Sequence, residues 1–323
     1  MKNSILIHSL NISPSSIEHN VSLKTKTWIH RGGIASVYFT PKNTDELICI
    51  GKHLFERNYS FDIYGHASNM YFHNTYNPEF VIDTRNVKEI TITDEHIICG
   101  CGYPMAQLSR TCISMGIQGY EGFINIPGTV AGACTNNSGC YGSLTENILH
   151  KVEVLTPQNE IRSFYTSELG YSERSSALKR KEIEGIIIKC YFKKNKKESI
   201  QTLEARAKEN TRLRRLQHEP PKNNLGSVYV HSFRWKKNLR NCIILGINFF
   251  LRCLNIQELT RKKTLKIMLL LLYNKLELKQ YISDKSIQCF LWKDEKADLH
   301  FDSFIELFND FANSPIMEIE QKK

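Results

Sequence analysis

The stretch Ile124-Asn-Ile-Pro-Gly-Thr-Val-Ala-Gly-Ala-Cys-Thr-Asn-Asn-Ser-Gly-Cys-Tyr-Gly142 carries more information than any other part of this chain. Pro127-Gly128 sets a turn, and Gly128, Gly132, Gly139 and Gly142 leave room for a flat ligand or a closely approaching backbone. Asn136, Asn137 and Ser138 place donors and acceptors among them. A structural loop can use the same composition; the length and ordering are the specific part. A second small-residue segment lies upstream, Tyr64-Gly-His-Ala-Ser-Asn69, directly after the apolar run Phe61–Tyr64. Small residues after a strand let backbone N–H groups approach a phosphate, and Ser68 and Asn69 add side-chain donors. Alone, this segment is equally an ordinary strand-to-loop turn.

Short apolar runs broken by turn residues surround both segments and make the first two-thirds strand-rich. Glu89–Thr93 and Ile97–Cys101 read as a hairpin, as do Lys151–Leu155 and Glu160–Phe164 around Pro157-Gln-Asn159. Gly185–Phe192 reads as a further strand. Helical spacing appears over Thr44–Asn58, with Leu47, Ile48, Ile50 and Leu54 on one face and Thr44 as the N-cap, and over Met105–Met115. A charged helix runs through Glu204 to Leu216 and stops at Pro220-Pro221. The last third is helical over Leu265–Lys279 and near Phe301–Phe311. The expectation is an α+β chain with domains 1–198 and 199–323.

At 323 residues and 37.4 kDa, two or three packed units are expected. The ten cysteines are scattered, with no CxxC pair and no zinc spacing, so a reduced cytoplasmic protein without a metal site is expected. Cys99 and Cys101, flanking Gly100 in an apolar stretch, read as core or pocket residues. The N-terminus lacks the continuous apolar region of a secretory signal. Cys242–Cys253 and Ile267–Tyr273 are the greasiest segments, both short of the roughly 20 residues a membrane span needs. The second reads as a buried helix. The formal charge of +10 is dense over Arg174–Arg215 and Lys236–Lys266. Such an excess attracts nucleic acid, a membrane surface or a nucleotide diphosphate, and it also describes a plain solvated face. Without an aromatic-rich motif, no nucleic-acid partner is expected.

Taken together and in order, the two glycine-rich segments resemble the UDP-N-acetylenolpyruvoylglucosamine reductases, whose FAD pocket carries an IPGTxGGA…NxGAYG run and a GxGSN loop. Gly65, Ser68 and Asn69 match that loop, Ala67 stands at its second glycine, and His66 falls on the variable position. Arg31-Gly-Gly33, Pro41 and Thr44-Asp-Glu-Leu47 resemble the family's entry strand and first helix, and the similarity extends from about Thr25 to Phe192. The resemblance implies an FAD-binding domain of the type shared with vanillyl-alcohol oxidase and p-cresol methylhydroxylase flavoproteins, followed by a smaller α+β substrate-binding domain. It implies non-covalent FAD held by Gly65, His66, Ala67, Ser68, Asn69, Ile126, Pro127, Gly128, Thr129, Gly132, Asn137 and Gly139. NADPH as reductant and a UDP-sugar substrate, UDP-N-acetylglucosamine enolpyruvate reduced to UDP-N-acetylmuramate for peptidoglycan synthesis, follow from it too. The oligomeric state stays open, with a monomer favoured.

Reducing an enolpyruvyl ether needs a hydride source, a proton donor, a stabiliser for enolate charge and a grip on the nucleotide. One positioned charge stabiliser is worth roughly 3–4 kcal/mol, and a positioned proton donor about 10²–10⁴-fold. The family's tyrosine–arginine–x–serine motif resembles Glu173-Arg174-Ser175-Ser176, which makes Arg174 the residue that holds the carboxylate. Glu173 replaces the aromatic, although Tyr171 lies two residues earlier. Pro221-Lys-Asn-Asn-Leu-Gly-Ser-Val-Tyr229 resembles the family's GSxF loop and makes Ser227 the proton donor. Met317-Glu-Ile-Glu-Gln-Lys322 resembles its closing LExEVR strand, with Glu320 as the catalytic glutamate, or Glu318 if the register slips.

Between His231 and Tyr281 the resemblance breaks down. Ser283-Asp-Lys-Ser-Ile-Gln-Cys-Phe-Leu-Trp292 stands where the family has a lysine–histidine–alanine–asparagine–phenylalanine segment; Lys285 is kept, Ser286 replaces histidine and Gln288 replaces asparagine. Two alternatives stand beside the reductase: a paralogue acting on another nucleotide sugar in surface-polysaccharide synthesis, and a flavin-binding protein without catalysis.

Overall fold

The computed structural model describes residues 12–230 and 234–323. Most of the N-terminal stretch read for a signal, and His231 at the start of the divergent segment, lie outside the described residues. Two compact units appear, neither continuous in sequence. The first comprises the chain up to Thr25, Gly32–Ser68 and Thr75–Leu213; the second comprises Lys26–Arg31, Asn69–Asn74 and Arg214–Lys323.

The first unit holds two sheets. One sets β1 (Ile17–Ser22), β2 (Ile34–Phe39), β5 (Phe80–Asp83) and β3 (Phe61–Tyr64) side by side in that order. β1 and β2 are antiparallel, whereas β2, β5 and β3 are parallel, with Tyr64 opposite Asp83 at the carboxyl ends. β5 is buried along its length, as an inner parallel strand requires. The other sheet orders β9 (Ile161–Tyr165), β8 (Leu149–Leu155), β10 (Ile186–Lys193), β7 (His96–Gly100) and β6 (Ile90–Ile92), all antiparallel. Both expected hairpins are present.

Helix α1 (Thr44–Glu56) buries Leu47, Ile50 and Leu54 in the core beside these strands. Each such side chain contributes about 1.5–3 kcal/mol when fully buried. Its N-cap is Asn43, whose side chain accepts from the Glu46 N–H, rather than Thr44. Asn43 has extended backbone, and its short amide reaches the N3 amide from outside the first turn, which a residue already helical cannot do. Helices α2 (Met105–Ser114) and α3 (Val130–Asn136) complete the core, where Cys99 and Cys101 are fully buried.

The charged helix α4 (Ile200–Gln217) contains the point at which the two units divide. Its early part packs Leu203 and Ala207 against Ile113 in a small cluster of their own, and the helix residues up to Leu213 lie in the first unit. The second unit contains α5 (Leu239–Cys253), α6 (Glu258–Leu272) and α7 (Ala297–Phe311). Phe301, Phe304, Phe308 and Phe311 all face inward, clustered with Tyr229, Phe290 and Trp292. The helix read over Leu265–Lys279 starts earlier and stops at Leu272, because Asn274 is left-handed (φ 54°) and ends the run. Of the two greasy segments, Ile267–Tyr273 buries Leu269, Leu270 and Tyr273, whereas Cys242–Cys253 is mostly exposed. β4 (Met70–Phe72) pairs in parallel with the last strand, β11 (Glu320–Lys322). Among the described residues, no helix is long and apolar enough to cross a membrane.

Candidate functional site

Parallel strands place their following loops together at the carboxyl edge, where ligands of α/β sheets bind. β3 ends at Tyr64 and delivers Gly65–Ser68 there, beside the loop after β5, Asp83-Thr84-Arg85. Gly65 lies against Thr129: a Cβ on Gly65 would come within 2.4 Å of the Thr129 methyl. Gly128 has φ +112°, and a Cβ there would meet Ser68 Oγ at 3.2 Å. The two glycine-rich segments therefore form one surface. The Met105 N–H donates to Gly128 O and the Val130 N–H to Tyr103 O, tying the turn to the start of α2. Thr129 caps α3, its hydroxyl accepting from the Gly132 N–H at 3.3 Å.

The backbone of the 65–68 loop is suited to an anion. Among the described residues, no carbonyl takes the amides of Gly65, His66, Ala67 or Ser68. Ala67 is left-handed at φ 51°, which explains why glycine suits that position. His66 keeps Nδ1 buried without a partner. Burial, with the Arg85 charge second, lowers the His66 pKa and favours the neutral ring. Unpaired amides, a buried imidazole nitrogen and two tight glycines together fit the phosphates and flat ring of a dinucleotide. Arg85 and Asp83 escaped the sequence reading. They pair with each other, Asp83 also accepts from the Tyr38 hydroxyl at 2.8 Å, and Tyr38 meets Tyr64 at 2.9 Å. Asp83 closes β5 and Arg85 follows two residues later, a spacing with no distinctive signal in the sequence.

The far end of the long segment is held by side chains. Asn137 is left-handed, donates from Nδ2 to Ser172 O at 3.2 Å, and accepts from the Glu146 N–H. Arg174, itself at φ 54°, donates to Asn137 O at 3.4 Å and Gly139 O at 3.1 Å. Ser176 is buried and donates to Thr135 O at 2.6 Å. The arginine motif is thus fastened to the glycine-rich segment at several points, while Glu173 is exposed. Tyr171 has a buried hydroxyl without a hydrogen-bond partner, and burial raises its pKa. Ile126 and Pro127 are half-buried at the turn, and Gly132 is exposed on α3.

The remaining candidates lie in the second unit. Asn69 donates from Nδ2 to Glu318 O at 3.1 Å, and its carbonyl accepts from the Glu320 N–H at 3.0 Å. Ser227 is half-buried and follows Gly226, which is left-handed at φ +79° with open space where a Cβ would stand. The Val228 N–H donates to Gln288 O, and the Glu318 N–H donates to Val228 O at 2.8 Å. Glu318 is therefore hydrogen-bonded through its backbone to the residue after Ser227. Glu320 is 54% exposed at its side chain and pairs with Lys322 at 2.8 Å. Lys285 donates to Arg215 O and His218 O at the end of α4. Gln288 is buried, and its side-chain oxygen Oε1 has no hydrogen-bond partner among the described residues.

Fold and loops define a flavoprotein whose residues 35–165 match the FAD binding domain family. The chain is 29% identical over 205 residues to the UDP-N-acetylenolpyruvoylglucosamine reductase of Rickettsia typhi, covering 62% of this chain and 68% of that one. The Rickettsia felis enzyme of the same name is 30% identical, with 59% and 63% covered, and that of Exiguobacterium sibiricum 26%, with 53% and 56% covered. The chain thus spans about two thirds or less of the length of these curated relatives. The crystal structure of UDP-N-acetylenolpyruvylglucosamine reductase from Thermus caldophilus shares the fold at a TM-score of 0.65 and 19% identity, covering 95% of this chain and 99% of that one. The chain is thus similar to UDP-N-acetylenolpyruvoylglucosamine reductases over its FAD-binding region and shares the fold of one of them.

Proposed function

We propose that this protein is an FAD-dependent reductase of UDP-N-acetylenolpyruvoylglucosamine that forms UDP-N-acetylmuramate in the cytoplasm, with NADPH as reductant. The observation that carries the reading is the joined surface of Gly65–Ser68 and Gly128-Thr129, continuous in sequence with the segment that Arg174 fastens. FAD bound there and reduced by NADPH would supply hydride to the vinyl carbon of the substrate. The 65–68 amides and Ser68 would hold its phosphates, and the Ile126–Thr129 turn and Asn137–Gly139 would hold its ring. Arg174 holds the substrate carboxylate and stabilises enolate charge. Ser227 donates the proton to the enolate carbon, a centre basic enough to accept from a hydroxyl. Glu318 or Glu320 polarises the enolate or relays the proton.

A second reading, a paralogue acting on another nucleotide sugar, is favoured by one observation. The divergent segment forms the helices α5 and α6, and Lys285 is bound to helix-end carbonyls. Anaerobic mixing with NADPH and then with candidate UDP-sugars separates the readings, with flavin absorbance as the readout. Bleaching by NADPH followed by recovery with the enolpyruvyl substrate is expected; recovery with another UDP-sugar alone selects the paralogue. A colourless protein without FAD affinity overturns both. Ser227→Ala is expected to bleach at the wild-type rate and to recover about 10²–10⁴-fold more slowly. Equal slowing of both phases would remove Ser227 from proton transfer.

A further inference from the structure

Helix α5 is built inside out for a helix of a globular domain. Of its side chains only Asn241 and Ile244 are buried. Leu239 is 77% exposed, Phe249 70% and Phe250 60%, with Ile243 and Leu245 also exposed, and Leu254 just beyond the helix at 55%. At 3.6 residues per turn, Leu239, Cys242, Ile243, Gly246, Phe249, Phe250, Cys253 and Leu254 fall on one continuous outward stripe. Arg240 and Arg252 flank it, one on each side, and α5 carries no acidic residue. Contiguous apolar surface of this kind marks an interaction site on a soluble domain.

The charge around the stripe identifies the occupant. From Arg234 to Lys266 there are nine basic residues and a single acidic one, Glu258. A second copy would bring the same excess of positive charge to the interface. An anionic lipid surface brings the opposite charge together with an apolar interior for the two phenylalanines. Arg252 can extend its stem along the apolar face and keep its guanidinium at headgroup level, while the Arg240 guanidinium lies 5.2 Å from the centre of the Tyr273 ring and adds its charge at the edge of the stripe. With 15 residues, α5 is too short to span a bilayer, which takes about 20, but is suited to lie in its plane.

We infer that the outward face of α5 docks the protein reversibly on membranes rich in anionic lipid, a property separate from the flavin chemistry. The test is co-sedimentation of the full chain with vesicles of phosphatidylglycerol and phosphatidylcholine, against phosphatidylcholine alone. Binding to the anionic vesicles only, weakened by salt, is expected. Phe249→Ser with Phe250→Ser should weaken it by on the order of tenfold or more, with the circular dichroism spectrum retained. Arg240→Glu with Arg252→Glu leaves the apolar face intact and should also release the protein. Equal binding to both vesicle types, or wild-type binding by either double variant, overturns the inference. So does a lipid-free dimer in sedimentation velocity that the phenylalanine variant dissociates, since the stripe would then belong to a second copy.

Discussion

At the scale of single residues, Ala67 shows how a local rule is broken and at what cost. A non-glycine residue in the left-handed region is strained by roughly 1–2 kcal/mol, and Ala67 sits there at φ 51°. Ala67→Gly should therefore raise stability by about 1 kcal/mol, less the entropy that glycine loses on folding, as measured by the urea midpoint. The loop's amides supply a second prediction. Gly65, His66, Ala67 and Ser68 lack carbonyl partners among the described residues, so FAD should protect these amides from hydrogen exchange. Unchanged exchange at saturating FAD would place the phosphates elsewhere. The glycine-rich segments were legible in the sequence because turns and close approach exclude side chains. Arg85 was not, because an aspartate–arginine step after a strand has no distinctive spacing. The relative merit of Glu318 and Glu320 was not legible either, since it depends on the pairing with Asn69 and Val228.

At the scale of elements, hairpins and amphipathic helices came through because periodicity reports burial directly. Cys242–Cys253 was the exception. Composition cannot distinguish a helix buried by its own domain from one that turns its apolar stripe outward. Helix α1 makes a prediction about pH. His53 is nearly buried, accepts from Arg57 Nη1 at 3.1 Å, and has its pKa lowered below its ordinary 6.5 by burial first and the Arg57 charge second. The folded state prefers the neutral ring, so below pH 6.5 the unfolded chain takes up protons that the folded chain refuses. Stability should be full above that value and decline as the pH falls below it. His53→Gln should flatten this decline in urea midpoints measured across the range; an unchanged slope would assign it to other groups, such as His66, whose pKa is lowered in the same direction.

At the scale of the whole molecule, the two units divide both the hydrophobic core and the charge. One core gathers β2, β5, α1 and the larger sheet; the other gathers α7 and the aromatic cluster around Phe290. The second unit holds 21 of the 43 basic residues but only 12 of the 33 acidic ones, so nearly all of the +10 charge resides in it. Total charge alone left a plain solvated face, a membrane surface and a nucleotide open; its concentration in the unit that carries the exposed apolar helix is the added information. The separate cores also imply separate responses to the cofactor. FAD at a hundredfold excess over its Kd adds about 2.7 kcal/mol to whatever unfolds with its site. Exchange of core amides in β2 and β5 should slow by a corresponding factor of about a hundred, with a smaller change in α7. Equal slowing in both would mean that the units open as one cooperative block, in which case destabilising α7, by Phe304→Ala for instance, should weaken retention of the flavin as strongly as a change in α1.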